Sequence, residues 1–132
     1  MSGMAEALGG TVWAITLFVD DTARSREFYA RAFGVAPVHE DDASVAFRIG
    51  GLVVNCLQRG SAPELVGPAP VAPGPGPAAF QLTLDVADTD AVCALLAERG
   101  VTLLNGPVDR PWGPRTAAFA DPDGHVWEVA AR

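Results

Sequence analysis

The sequence predicts an α+β domain made of two copies of a βαβββ unit, and three observations support this. Val19-Asp20-Asp21-Thr22, running into Phe28-Tyr29 and Phe33-Gly34-Val35, has a counterpart in Val86-Ala87-Asp88-Thr89, running into Leu95-Leu96 and Arg99-Gly100-Val101. The ends of the units also correspond: Phe47, Gly50-Gly51 and Val54-Asn55 echo Phe119, Asp123-Gly124 and Trp127-Glu128. Between the copies lies a stretch without periodicity, residues 59–79, holding six of the eleven prolines and four glycines. A repeat at a fixed offset marks one supersecondary unit used twice.

Each element follows from local chemistry. Residues 11–19 (TVWAITLFV) are β-branched and aromatic, bounded by Gly9-Gly10 and Asp20-Asp21, and read as a strand. Asp21 or Thr22 caps a helix reaching Phe33, with Phe28, Tyr29, Ala32 and Phe33 as its apolar face and Gly34 as its stop. Short strands are expected over residues 36–39, 44–49 and 52–57, the last two joined by Gly50-Gly51. The second copy repeats the order: a strand over 80–86, then a helix over 88–99 with Val92, Leu95 and Leu96 on one face. Strands over 102–104, 115–120 and 125–130 follow, and Asp121-Pro122-Asp123-Gly124 suits a type I turn between the last two. The chain is thus one domain, with module one at about 11–58, a proline-stiffened connector at 59–79 and module two at about 80–131.

Bulk composition narrows the function classes. The chain has 132 residues, 49% of them hydrophobic, which is enough for a real core. No run reaches the length of a membrane span, and residues 1–10 lack a basic start and an apolar segment, so no membrane partner and a cytoplasmic location are expected. Cys56 and Cys93 fall inside predicted elements with no Cys-x-x-Cys spacing, and read as buried free thiols. A net charge of −7 opposes binding to nucleic acid, which requires a positive surface. No Gly-x-Ser-x-Gly elbow occurs, and Gly74-x-Gly76 is followed by no helix that would make a phosphate loop.

Asp21 with Phe28-Tyr29 and Phe33-Gly34, the Pro111-Trp112-Gly113-x-Arg115 stretch, and Asp121-Pro122-Asp123-Gly124-His125-x-x-Glu128 together resemble the vicinal oxygen chelate superfamily. That group includes glyoxalase I, bleomycin-type resistance proteins and extradiol dioxygenases. The resemblance implies that the two βαβββ modules form a curved eight-stranded mixed sheet, a cup. It also implies that the first and last strands of each module supply the inward ligands in metal-dependent members. The offset of 67 between Asp21 and Asp88 aligns Ala14 with Gln81, and that of 73 between Gly51 and Gly124 aligns Asn55 with Glu128. The four ligand positions therefore read Ala14, Asn55, Gln81 and Glu128. Only Gln81 and Glu128 match the ligand pattern, so no cofactor is expected and a divalent metal is disfavoured. His125 should point away from Glu128 by strand alternation, and His39 lies outside the ligand set.

With Gln81 inward, the same alternation places Thr83 and Asp85 in the cup, together with Val12, Ala14, Thr16 and Phe18 of the first strand. Trp13, Ile15, Leu17 and Val19 then face a helix, as do Phe80, Leu82, Leu84 and Val86, with Trp13 and Trp127 as core or interface residues. Trp112 lies in a loop between Pro111 and Pro114, as a stacking wall for a planar ligand or as a packing contact. Arg115 has three open roles: pairing with Glu128, pairing with an anionic ligand, or a surface position. The expected ligand-binding set is Gln81, Glu128, Asn55, Thr83, Asp85, Thr16, Phe18, Trp112 and Arg115. If catalysis occurs, Glu128 is its one candidate base; Gln81 and Glu128 bonding each other or a ligand is the simpler role. The leading expectation is a metal-free cup that binds a small organic molecule, as drug-sequestering resistance proteins do. The alternative is a lyase, isomerase or dioxygenase of the same superfamily using Glu128 and Gln81. A protein-binding module is the third reading. A homodimer is expected from the resemblance.

Overall fold

Alternating apolar and polar residues commit each strand to one buried face, and the two modules meet through those faces. The computed structural model describes Leu8 and residues 10–132. Module one consists of β1 (Ala14–Val19), α1 (Thr22–Phe33), β2 (His39–Glu40), β3 (Ser44–Ile49) and β4 (Leu52–Gln58). Module two consists of β5 (Gln81–Asp85), α3 (Thr89–Glu98), β6 (Leu103–Asp109), β7 (Arg115–Ala120) and β8 (Val126–Ala131). Each module forms a four-stranded mixed sheet, in the orders β1-β4-β3-β2 and β5-β8-β7-β6. The α+β fold of two βαβββ modules is as expected.

Both helices begin and end on the residues that local chemistry favours. The Asp21 carboxylate accepts the amides of Ala23 and Arg24, and Gly34 closes α1 in the left-handed region at φ 67°. Asp88 caps α3 in the same way, and the Val101 amide reaches back to the Leu96 carbonyl beyond Gly100. Phe28, Tyr29 and Ala32 of α1 are buried as expected, whereas Leu95 of α3 is partly exposed and Cys93 takes the inward place beside Leu96.

Strand registers verify the equivalence of the two copies. Thr16 pairs with Asn55 in module one, and Thr83 pairs with Glu128 in module two. Likewise Ala46 lies opposite Asn55, and Ala118 opposite Glu128. The core-facing set alternates with these: Leu17, Val19, Val45, Phe47, Val54 and Cys56 join Leu96, Ala117, Phe119, Trp127 and Val129 in one buried cluster. Tyr29 and Phe33 of α1 make the joint, their rings lying 6.1 Å and 5.0 Å from that of Trp127. The thiols of Cys56 and Cys93 are free and buried.

Several local expectations are corrected. Trp13 is 68% exposed instead of facing a helix, because β1 starts at Ala14 and the alternation does not extend to the residue before it. Phe80 likewise precedes β5 and is exposed. The second strand is only His39–Glu40, and β6 runs to Asp109 with two register shifts around the Gly106-Pro107 step. The connector carries a 3₁₀ turn at Arg59–Ser61 and a short helix α2 (Pro63–Val66), with proline at a helix start where its missing N–H costs nothing.

Candidate functional site

The face of the module-two sheet turned away from the core carries Gln81, Thr83 and Asp85 on β5 and Glu128 and Ala130 on β8. Thr83 Oγ1 donates to Glu128 Oε1 at 3.0 Å, so the partner of Glu128 is Thr83, directly across the register, and not Gln81. Above this pair, the loop after β6 folds Trp112, Gly113 and Pro114 over the sheet. Together with Ala130 and Arg132 they enclose an open cavity of about 530 Å³. Trp112 is 72% exposed, with the Arg110 guanidinium 5.9 Å from its ring centroid. Gly113, at φ 128°, lets the chain turn there as no side-chain-bearing residue readily does.

Other residues anticipated for the site fall around this centre. Asp85 is paired with Arg132 at 3.0 Å on the rim. Gln81 lies on the same face as Thr83, next to the edge at which β5 starts. Arg115 is held by Asp90 at 2.9 Å and Asp109 at 3.1 Å, which assigns it to the surface network instead of Glu128. Both bonds hold its guanidinium above its ordinary pKa. Thr16 and Asn55 occupy the equivalent face of module one, and Phe18 lies at the end of β1 beside the connector.

The chemistry of the donors does not fit a divalent transition metal. At the four ligand positions Ala14 has no donor atom, Asn55 and Gln81 are neutral amides, and Glu128 alone can carry charge. Among the described residues no group of three or more His, Cys, Asp or Glu side chains is arranged to hold an ion. His125 and His39 are committed elsewhere, to Asp121 at 2.8 Å and to Asp41 at 3.0 Å.

A second polar centre lies at the seam between the modules, and sequence reasoning did not find it. Asp121 is fully buried and saturated: Oδ1 accepts the amides of Asp123 and His125, and Oδ2 accepts Tyr29 Oη at 2.7 Å and His125 Nδ1 at 2.8 Å. Burial alone would raise its pKa, but the bonds from His125 and Tyr29 outweigh burial and hold it below the ordinary carboxylate value. Burial, followed by the Asp121 charge, pushes the Tyr29 phenol far upward. Trp127 Nε1 completes the chain by donating to Tyr29 Oη at 3.1 Å. Burial beside Asp121 and Asp123 pushes the Cys56 thiol up to about 12.

Arg59, the first residue of the connector, straps this seam. It donates to Asp20 Oδ1 at 2.8 Å and to the carbonyls of Ala72 and Phe18. The connector thereby covers a cavity of about 200 Å³. No local signal in the sequence marked it: Asp121-Pro122-Asp123-Gly124 reads as an ordinary turn, and only the structure shows both aspartates buried.

The glyoxalase/bleomycin resistance protein/dioxygenase superfamily model matches residues 12–129. The uncharacterized protein YraH of Bacillus subtilis is 34% identical over 120 residues, covering 87% of this chain and 93% of that protein. An uncharacterized protein of Mycobacterium tuberculosis is 32% identical over 122 residues, covering 86% and 69% respectively. Among solved structures, a glyoxalase-related enzyme from Fulvimarina pelagi superposes with a TM-score of 0.78 at 30% identity, over 92% of this chain and 88% of that one. A glyoxalase/bleomycin resistance protein/dioxygenase from Nocardioides gives 0.82 at 22% identity, over 92% and 83%, a likeness of fold alone.

Proposed function

Because the chain belongs to the glyoxalase/bleomycin resistance protein/dioxygenase superfamily, we propose that it binds a small organic molecule without a metal, on the module-two sheet between Trp112 and the Thr83–Glu128 pair. The observation that carries this reading is the cavity itself. Its volume of about 530 Å³ lies in the range of small-molecule sites, and it combines one exposed aromatic wall with one carboxylate. A ring stacked on Trp112 with a donor or positive group toward Glu128 suits these walls.

The functional form is a cytoplasmic homodimer whose second copy narrows the open side of the cup. Val12 and Trp13, both exposed just before β1, supply apolar surface for that contact. Among the described residues no helix is long and apolar enough to cross a membrane.

The test combines metal analysis with a ligand screen read by tryptophan fluorescence. Substoichiometric zinc, nickel, manganese and iron, with quenching by planar cationic compounds that disappears in Trp112→Phe, is the expected result. One metal per chain, lost in Glu128→Ala, would overturn the metal-free reading. Binding unaffected by both Trp112→Phe and Glu128→Gln would remove this surface as the site. Light scattering that gives a monomer at micromolar concentration would remove the dimer.

A second reading, an enzyme of the same superfamily, is favoured by one feature: Glu128 Oε1 is bonded to Thr83, while Oε2 has no partner among the described residues. That oxygen is free to accept a proton from a bound substrate. Turnover of any ligand found by the screen that vanishes in Glu128→Ala supports this reading, and unchanged turnover removes it.

A further inference from the structure

Trp112, the exposed wall of the module-two cavity, sits on a closed turn between β6 and β7. The Arg110 amide donates to the Pro114 carbonyl at 2.9 Å, and the Gly113 amide donates to the Arg110 carbonyl at 3.0 Å. Pro111 and Pro114 stiffen the same turn by fixing φ at two of its positions. These restraints act on the backbone and do nothing to hold the Trp112 side chain, which is exposed. An exposed side chain ordinarily changes rotamer within nanoseconds.

Arg110 is what bears on the ring. Its guanidinium lies over the indole, 5.9 Å from the centroid. The guanidinium is itself anchored twice: Nε donates to Thr116 Oγ1 at 2.8 Å, and a terminal nitrogen donates to Asn105 Oδ1 at 3.1 Å. Thr116 is buried on β7, so its hydroxyl is a fixed point. Asn105 lies where β6 shifts register on the way to Val108, and such a bulge re-aims a side chain. Among the described residues no carboxylate pairs with Arg110, whereas Arg115 is held by Asp90 and Asp109. Neutral partners leave the charge of Arg110 available to the indole. Trp112 lines the cavity and Arg110 does not, so the guanidinium backs the indole from outside.

We propose that Arg110 is the positioning residue of this site, holding the Trp112 indole in place before a ligand arrives. This role presumes that the Trp112–Glu128 surface is the ligand site, and Arg110 itself touches no ligand. A ring that is already fixed loses no rotational freedom on binding, so Arg110 raises affinity without adding a contact.

The test reads the ring directly, by NMR relaxation of the Trp112 indole N–H in the free full-length chain; the signal is identified by its loss in Trp112→Phe. In the wild type the indole should be as ordered as the backbone amide of Trp112. In Arg110→Ala it should become mobile while the amides of residues 110–114 stay ordered. Arg110→Lys keeps the charge but not the planar fork that reaches Thr116 and Asn105 together, and should restore the order only in part. Asn105→Ala, at an exposed position, should loosen the indole in the wild-type background and add nothing in Arg110→Ala, because Asn105 acts through Arg110. Arg110→Ala should also weaken binding of the planar cation N-methylquinolinium about threefold or more. An indole as mobile in the wild type as in Arg110→Ala would overturn the role, and so would unchanged affinity for N-methylquinolinium once the indole is released. Release of the indole in Arg110→Ala, with no binding of N-methylquinolinium or other planar cations to the wild type, would uphold the hold on Trp112 and overturn the ligand site instead.

Discussion

Tyr29 and Asp121, 92 positions apart in the chain, share a buried hydrogen bond of 2.7 Å that ties α1 of module one to the closing turn of module two. The phenol simultaneously accepts from Trp127 Nε1, so a single oxygen links a helix, a turn and a strand. Tyr29→Phe leaves the Trp127 indole N–H without its acceptor in a dry core. The expected loss is about 2 kcal/mol of unfolding free energy, read from urea denaturation with an unchanged m-value; a loss too small to measure would mean that the bond does not hold the modules together.

The same pair makes stability fall at both ends of the pH scale. Asp121 has its folded pKa below the unfolded one, so its contribution is complete above the ordinary carboxylate value of about 4 and is lost as pH falls through the folded value. Tyr29 has its folded pKa raised, so its contribution is complete below about 10 and is lost as pH rises beyond that. The stability gap between the wild type and Asp121→Asn should therefore narrow below pH 4. A gap that stays constant down to pH 2 would contradict the placement of a charged Asp121 in the seam.

Gly106 tests the backbone of β6. Its φ of 87° disfavours any L side chain, and a Cβ there would collide with the Thr116 carbonyl and with Ala117 on β7. Gly106→Ala should cost about 3 kcal/mol or more, whereas Gly50→Ala, also at positive φ but with open space around it, should cost clearly less. Thermal denaturation of the two variants side by side checks the order, and equal losses would show that strain alone, not the β6–β7 collision, decides both.

Arg59 ties the connector to module one through Asp20 and the Phe18 carbonyl and to its own later part through the Ala72 carbonyl, with Asp123 of module two 3.9 Å away. Arg59→Ala removes these charged hydrogen bonds and should cost about 2 kcal/mol. Limited proteolysis should then cut within residues 68–79 sooner than in the wild type, while the modules stay resistant. Unchanged cleavage would show that proline stiffness alone restrains the segment.

Burial raises the thiol pKa at both Cys56 and Cys93, to about 12 in the case of Cys56. Neither should react with iodoacetamide at pH 8 in the folded chain, and both should react in urea. Stoichiometric labelling of the folded protein would show that the core opens more readily than its packing indicates.

Much of the architecture was legible from sequence because it rests on short-range regularities. The two helix caps, the glycine stops and the alternation that sends Leu17 inward and Thr16 outward each depend on residues within a turn or a pleat of one another. The repeat offset aligned Asn55 with Glu128, and the strand registers agree with that alignment. Trp13 and Phe80 escaped because alternation ends where a strand ends, and strand ends depend on pairing partners distant in sequence.

The sequence alone thus determined the α+β class and the two modules, because caps, glycine stops and strand alternation act between residues close together in the chain. The tertiary structure decided which groups meet: Glu128 with Thr83 beneath Trp112, Arg115 with Asp90 and Asp109, and Tyr29 with Asp121 across the seam. It also decided that Asp121 and Asp123 would be buried in the turn that closes module two. Those pairings join residues far apart in the chain, and no local period encodes them; they follow from how two curved sheets and a connector close on one another.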